Sequence, residues 1–197
     1  YTEMFGLGET TGLEIPESEP QISDEYSVQS AIGQGTNNFT VSQLNRYVAA
    51  VANKGTVYKL SLLSKTTDPD GKIIKNYEPT VVSTIDEVSD ETWNLIHQGM
   101  ISMINSTASF SGLGIQMAGK TGTAQQSEIH PDHGLFVGFA PADAPEIAIA
   151  VRIANGYSSS YAAEIGRDIV KAKYQLGDIN EIITGTASEL GAAVAGD

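Results

Sequence analysis

The chain has 197 residues, 41% of them hydrophobic and 18% charged, with no cysteine; it is too apolar for a disordered chain and holds no disulfide, thiolate metal site or cysteine nucleophile. It has no run of about 18 uncharged apolar residues able to span a bilayer, and Tyr1–Pro20 is acidic where a targeting segment is basic. The net charge of −13 comes from the flanks, since Tyr1–Asn45 holds seven acidic residues, Tyr174–Asp197 holds four, and neither holds Lys or Arg; no basic stripe is on offer to nucleic acid.

Residues 1–25, with Gly6, Gly8, Gly12, Pro16 and Pro20 and no sustained period, predict an irregular connector. A helix begins at Thr40, where Thr40 and Gln43 fit a capping box; Leu44, Tyr47, Val48 and Val51 form its apolar stripe and Gly55 is placed at C′. Val57–Lys65 and Lys72–Tyr77 read as a peripheral β-hairpin around Asp68-Pro69-Asp70-Gly71. A second helix starts near Ser89 or Asp90, with Trp93, Ile96, Met100 and Ile104 along one side. Three strands are expected at Ile115–Gln125, Leu135–Ala140 and Ile147–Ala154; in the last, four β-branched residues alternate with Ala148, Ala150, Arg152 and Ala154. The Ala-lined face is the expected seat of a third helix, Ser160–Leu176, through a stripe of Ile165, Ile169, Ala172 and Leu176. The tail Asp178–Asp197, rich in Gly, Ala and Thr, reads as linker or as a short added strand at Ile182–Thr184. Strands joined by short turns and covered by helices predict an α+β fold with an antiparallel sheet.

The chemistry concentrates in Lys120-Thr121-Gly122-Thr123. A cation beside two hydroxyls on a strand edge suits a carboxylate, because charge-assisted hydrogen bonds are about twice as strong as neutral ones. Gly122 removes a side chain where a ligand backbone approaches, and the Thr123 N–H is an oxyanion donor. Against this stands the bland alternative, an exposed strand with a surface lysine. His130-Pro131-Asp132-His133 has metal-ligand residue types, but the Pro spoils helical registration and no distant ligand is indicated, so it reads as a solvated loop. His97 reads as a boundary residue and Trp93 as core. Gly6-x-Gly8, Gly33-x-Gly35 and Gly112-x-Gly114 lack the strand-to-helix setting of nucleotide binding and read as turns.

Lys120-Thr121-Gly122 resembles the third motif of the penicillin-recognising serine acyltransferases. The resemblance is closest to class B penicillin-binding proteins, the peptidoglycan D,D-transpeptidases. Phe5-Gly6-Leu7-Gly8 with Thr11-Gly12-Leu13-Glu14-Ile15-Pro16, then Ala31-Ile32-Gly33-Gln34-Gly35, and then His133–Pro141 with Pro145–Val151 are similar to that family's blocks in the family's order, over roughly residues 5–176. No serine here is followed three positions on by lysine or two positions on by asparagine, so the S-x-x-K nucleophile and S-x-N motifs are absent. Family order puts both upstream. The resemblance therefore implies that residues 1–177 are the C-terminal part of a transpeptidase domain, 178–197 being a tail, and that the fragment is inactive alone.

By the same resemblance, Lys120 and Thr121 bind the terminal carboxylate of a D-Ala-D-Ala stem peptide or a β-lactam, Gly122 admits it, and Thr123 supplies one oxyanion N–H. The missing serine supplies the other. No cofactor and no metal are implied. The parent protein is expected to be extracytoplasmic, held to the membrane by an N-terminal anchor. A β-lactamase or D,D-carboxypeptidase of the same superfamily, and a non-catalytic penicillin sensor or scaffold, are the rival readings. The family's N-terminal strands pair with the strand matching Ile147–Ala154, so that edge is expected either to be covered by residues after Asp178 or to be used in self-association.

Overall fold

A computed structural model describes residues 1–125 and 129–182. The chain forms two compact units, Tyr1–Asp90 and Glu91–Asp197.

In the first unit, a short helix α1 (Ser27–Ala31) precedes α2 (Val41–Ala52). The capping box at Thr40 is present: its hydroxyl accepts from the Gln43 backbone N–H, and the Gln43 side-chain Oε1 accepts from the Thr40 N–H at 2.8 Å. The C-terminus closes one residue earlier than expected. Lys54 takes the left-handed C′ conformation at φ 60°, and the Gly55 N–H reaches back to Ala50 O at 2.8 Å in a Schellman arrangement.

Tyr1–Glu25 is irregular as predicted, apart from one bridge between Gln21 and Asn38. Polar residues hold it to α2. Gln43 and Arg46, both buried, donate to backbone carbonyls: Gln43 to Glu9, and Arg46 to Gly6, Glu9 and Thr10. The Glu17 carboxylate accepts from the Thr11 hydroxyl and from the N–H groups of Thr11, Gly12 and Leu13. Partial burial pushes this carboxyl up, and the four donors together outweigh the burial and hold it below its ordinary value.

The expected strand Val57–Lys65 does not run through: its start lies in one strand and only its last residue, Lys65, in the next. Two more strands follow, giving β1 (Thr56–Lys59), β2 (Lys65–Thr67), β3 (Ile73–Asn76) and β4 (Thr80–Thr84). β2 and β3 form a hairpin around the predicted Asp68–Gly71 turn, with Gly71 at φ +85°, but of the expected first strand only Lys65 belongs to it; β1 pairs antiparallel with β4, which was not expected. The run breaks at Leu60–Ser64 because Glu14 captures it, accepting from the Ser61 hydroxyl at 2.6 Å and the Leu62 N–H at 2.8 Å.

The second unit is built on α3 (Asp90–Ser106), a 3-10 turn at Ala108–Phe110, strands β5 (Ala118–Ala124), β6 (His133–Ala140) and β7 (Ile147–Ile153), helix α4 (Ser159–Tyr174) and a short α5 (Ile179–Ile182). The strands make an antiparallel sheet in the order β5-β6-β7. The Ser158 hydroxyl caps α4 by accepting from the Ser160 N–H.

Two expectations about α4 are corrected. Its buried residues are Ser159, Ala162, Ala163, Gly166 and Val170, whereas Ile165 and Ile169 are exposed. It packs on the β-branched face of β7, not the Ala face: Ile149 shares its cluster, and Ile147, Val151 and Ile153 pack against it. The small residues that permit close approach are on the helix. They make room for Phe136, which is fully buried and stacks on Phe110 at 5.9 Å between centroids. On α3 the buried residues are Trp93, His97 and Ile104, while Ile96 of the predicted stripe is exposed; His97 lies inward against Phe139, ring centroids 5.0 Å apart.

Among the described residues nothing pairs with the outer edge of β7. Ile182 ends α5 and so is helical, and the remaining two residues of the strand suggested at Ile182–Thr184 lie outside the described residues.

Candidate active site

Lys120-Thr121-Gly122-Thr123 is fully extended within β5, an edge strand of its sheet that pairs with β6 in the register Lys120↔Val137, Thr121↔Phe136, Gly122↔Leu135 and Thr123↔Gly134. Strand alternation puts Lys120 and Gly122 on one face and Thr121 and Thr123 on the other. What the four share is the edge, where alternate N–H and C=O groups face away from β6. Lys120 is exposed, and its ammonium donates to the Thr121 carbonyl at 2.7 Å. Among the described residues no carboxylate lies within ion-pair distance of it. The charge is therefore available to an anion at the cost of one exposed, neutral contact.

Gly122 differs from the other glycines of the sheet. A Cβ at Gly119 would lie 2.7 Å from the Phe136 ring, and one at Gly138 would lie 2.8 Å from both that ring and Ala118 O. At Gly122 the nearest atom would be Leu135 Cβ, at an ordinary 3.5 Å. The fold demands glycine at 119 and 138; it does not demand it at 122. Sequence reasoning missed the support beneath β5, in which Gly119, Gly138 and Gly166 all abut the single ring of Phe136. The glycines were visible in the sequence, but their convergence on one ring was not.

The four residues His130–His133 do not converge. His130 is exposed, whereas His133 is buried: its Nδ1 accepts the Asn155 N–H at 2.9 Å and its Nε2 lies 3.0 Å from Arg152 Nη2. Burial, then the neighbouring guanidinium, pull its pKa below the usual histidine value against a smaller opposing effect of Asp132. A guanidinium there repels a metal ion, and among the described residues no group of three or more His, Asp and Glu is placed to hold one.

The antiparallel sheet backed by α4 matches the fold of solved penicillin-binding proteins. The family model for the penicillin binding protein transpeptidase domain matches residues 1–171, and the chain belongs to that family. Its relatives are class B penicillin-binding proteins of cell-wall synthesis. The peptidoglycan D,D-transpeptidase MrdA of Acinetobacter baumannii is 34% identical over 212 residues, covering 86% of this chain and 30% of that protein. Penicillin-binding protein 2B of Streptococcus pneumoniae is 29% identical over 187 residues, covering 82% of this chain and 27% of that protein.

Among solved structures, the imipenem acyl-enzyme complex of penicillin-binding protein A from M. tuberculosis superposes with a TM-score of 0.77 at 27% identity, covering 88% of this chain and 41% of that one. The Pseudomonas aeruginosa PBP2 complex with WCK 5153 gives 0.71 at 28% identity, covering 90% and 43%. The chain thus spans about 30% of the length of the curated relatives it matches. No helix among the described residues is long and apolar enough to cross a membrane.

Proposed function

We propose that this chain is the C-terminal, K-T-G-bearing portion of a peptidoglycan D,D-transpeptidase that works on the outer face of a bacterial membrane, to which a separate N-terminal anchor holds it. In this reading a serine outside these residues attacks the penultimate D-Ala carbonyl of a stem peptide. D-Ala leaves, and an amine from a second strand resolves the acyl-enzyme. β-Lactams acylate the same serine, in keeping with the acyl-enzyme complexes of the M. tuberculosis relative.

The chain's own residues bind and stabilise. Lys120 and the Thr121 hydroxyl take the ligand carboxylate, Gly122 leaves room for its backbone, and the Thr123 N–H donates to the oxygen that becomes negative in the tetrahedral intermediate. The observation that carries the reading is that Gly122 stands on an open edge with no packing reason to be glycine, next to a lysine with no carboxylate partner among the described residues. Such a site clamps an acyl donor and cannot attack it. No serine of this sequence has the S-x-x-K or S-x-N spacing.

Labelled penicillin tests this. The 197-residue chain alone is expected to form no covalent adduct, and the longest protein encoded by the same gene is expected to form one that survives denaturation. A stable label on the chain alone refutes the missing-nucleophile argument, and an unlabelled longer protein refutes the transpeptidase reading.

A further inference from the structure

The turn between β7 and α4 is clasped to the first residues of β6. Asn155 and Tyr157 both hold left-handed backbone, at φ 53° and 62°. The strained turn is tied down at two points: the Tyr157 N–H donates to Asp132 O at 3.2 Å, and the Asn155 N–H donates to His133 Nδ1 at 2.9 Å. Ser158, which caps α4, follows directly, and a Cβ on Gly134 would lie 2.5 Å from its carbonyl oxygen. His133 pairs across the sheet with Ala124, and Gly134 pairs with Thr123. The clasp thus sits at the end of β5 that carries the Thr123 N–H.

We infer that His133 is a positioning residue for the acyl-transfer site, acting through its neutral Nδ1 acceptor to lock the β7–α4 turn and with it the Thr123–Ala124 end of β5. The inference rests on the reading of β5 as the substrate-binding edge. A neutral imidazole has one lone-pair nitrogen, and two donors converge on this ring, Asn155 N–H at Nδ1 and Arg152 Nη2 at Nε2. Arg152 is an exposed side chain with solvent within reach, whereas the turn amide is fixed by the backbone. The clasp therefore requires the proton on Nε2.

Protonation of the ring removes the Nδ1 acceptor and sets a second positive charge beside Arg152, so acid opens the clasp. Among the described residues, Arg152 of β7 opposes protonation of the ring, and Asp132 at the foot of β6 favours it more weakly. β5 contributes Ala124 and the turn contributes Asn155, neither of them charged. With the folded pKa below that of the free side chain, the clasp is complete above the ordinary histidine pKa and is lost as pH falls through the lowered one.

The test has two readouts. In the 197-residue chain, nitrogen NMR of the His133 ring and hydrogen exchange at the Asn155 amide are followed against pH for wild type, His133→Ala and His133→Asn; the Asn side chain returns an acceptor near the Nδ1 position. Wild type is expected to show an Nε2-protonated ring and an Asn155 amide whose protection collapses in acid. His133→Ala should be unprotected at all pH values, and His133→Asn protected without the acid step. In the longest encoded protein, penicillin acylation should slow about tenfold in His133→Ala, as expected for displaced catalytic geometry, with His133→Asn rescuing the rate and abolishing the acid limb of its pH profile. Equal Asn155 protection in wild type and His133→Ala overturns the clasp. An intact clasp signature with unchanged acylation in His133→Ala overturns the positioning role. A clasp signature in a longer protein that is never acylated overturns the transpeptidase reading and, with it, the positioning role.

Discussion

Phe136 is enclosed by glycines, and substitution of one of them tests how β5 is supported. A Cβ built on Gly166 lies 2.4 Å from Phe136 Cδ1 and Cε1, both atoms belonging to a fully buried ring. Overpacking of this kind costs about 1–3 kcal/mol, while Gly→Ala inside a helix returns about 0.8–1.0 kcal/mol. Gly166→Ala is therefore expected to destabilise by about 0–2 kcal/mol, against the usual sign for a helical glycine. Phe136→Val removes the two clashing ring atoms and costs less than the ~3–5 kcal/mol of Phe→Ala. In that background only the propensity gain survives, so Gly166→Ala should stabilise by about 1 kcal/mol, giving a coupling of about 1–3 kcal/mol. Urea denaturation of the four proteins of the cycle, with a shared slope, measures it. If Gly166→Ala has the same effect in both backgrounds, or stabilises the wild type, the account of the helix seated on Phe136 is wrong.

Two other perturbations separate site from scaffold. Lys120→Met in the longest encoded protein should slow penicillin acylation about 10- to 100-fold, the worth of one charged hydrogen bond of ~1.5–3 kcal/mol. Because Lys120 is exposed, the free energy of unfolding should change by no more than about 0.5 kcal/mol; a matching loss of stability would make the lysine structural. Glu17→Gln should cost about 1–2 kcal/mol by weakening the acceptor shared by Thr11, Gly12 and Leu13. Since the folded pKa of Glu17 is lowered, its contribution is present above the unfolded carboxyl value and lost as pH falls through the folded one. Urea midpoints from neutral to acid should converge for wild type and Glu17→Gln; a gap that persists in acid would refute the assignment.

The sequence was most legible where one local rule decided the outcome. Thr40 and Gln43 marked the start of α2 because a capping box is closed by groups three residues apart. The strand alternation of β7 and the Pro-Gly turn of the β2–β3 hairpin were local too. Failures came where a distant partner decided. Nothing near Ser61 announces that Glu14, 47 residues away, ends the strand before it.

The periodicity of α4 allowed two neighbouring faces, and the one with isoleucines was the expected inner face because bulk usually faces inward. Phe136 reversed that choice, because its ring fills the space that Ala162, Ala163 and Gly166 leave open. Likewise His133 looked like part of a solvated loop, since the turn that buries its ring returns to it only after β6 and β7 have been built.

Two glycines three residues apart on β5 show why motif and fold must be read separately. Gly119 and Gly122 are the same residue in the same strand, both in ordinary extended backbone, and neither owes its identity to positive φ. Gly119 is fixed from beneath, since any Cβ there enters the Phe136 ring and approaches Ile104 at 3.1 Å. Gly122 meets only Leu135 at contact distance, so an alanine would pack there as well as alanines do elsewhere in the sheet. Stability gives no reason to keep 122 empty. The proposed function supplies a reason instead: a ligand laid along the edge of β5 would need the space at 122, and the exposed Lys120 ammonium on the same face would take its carboxylate.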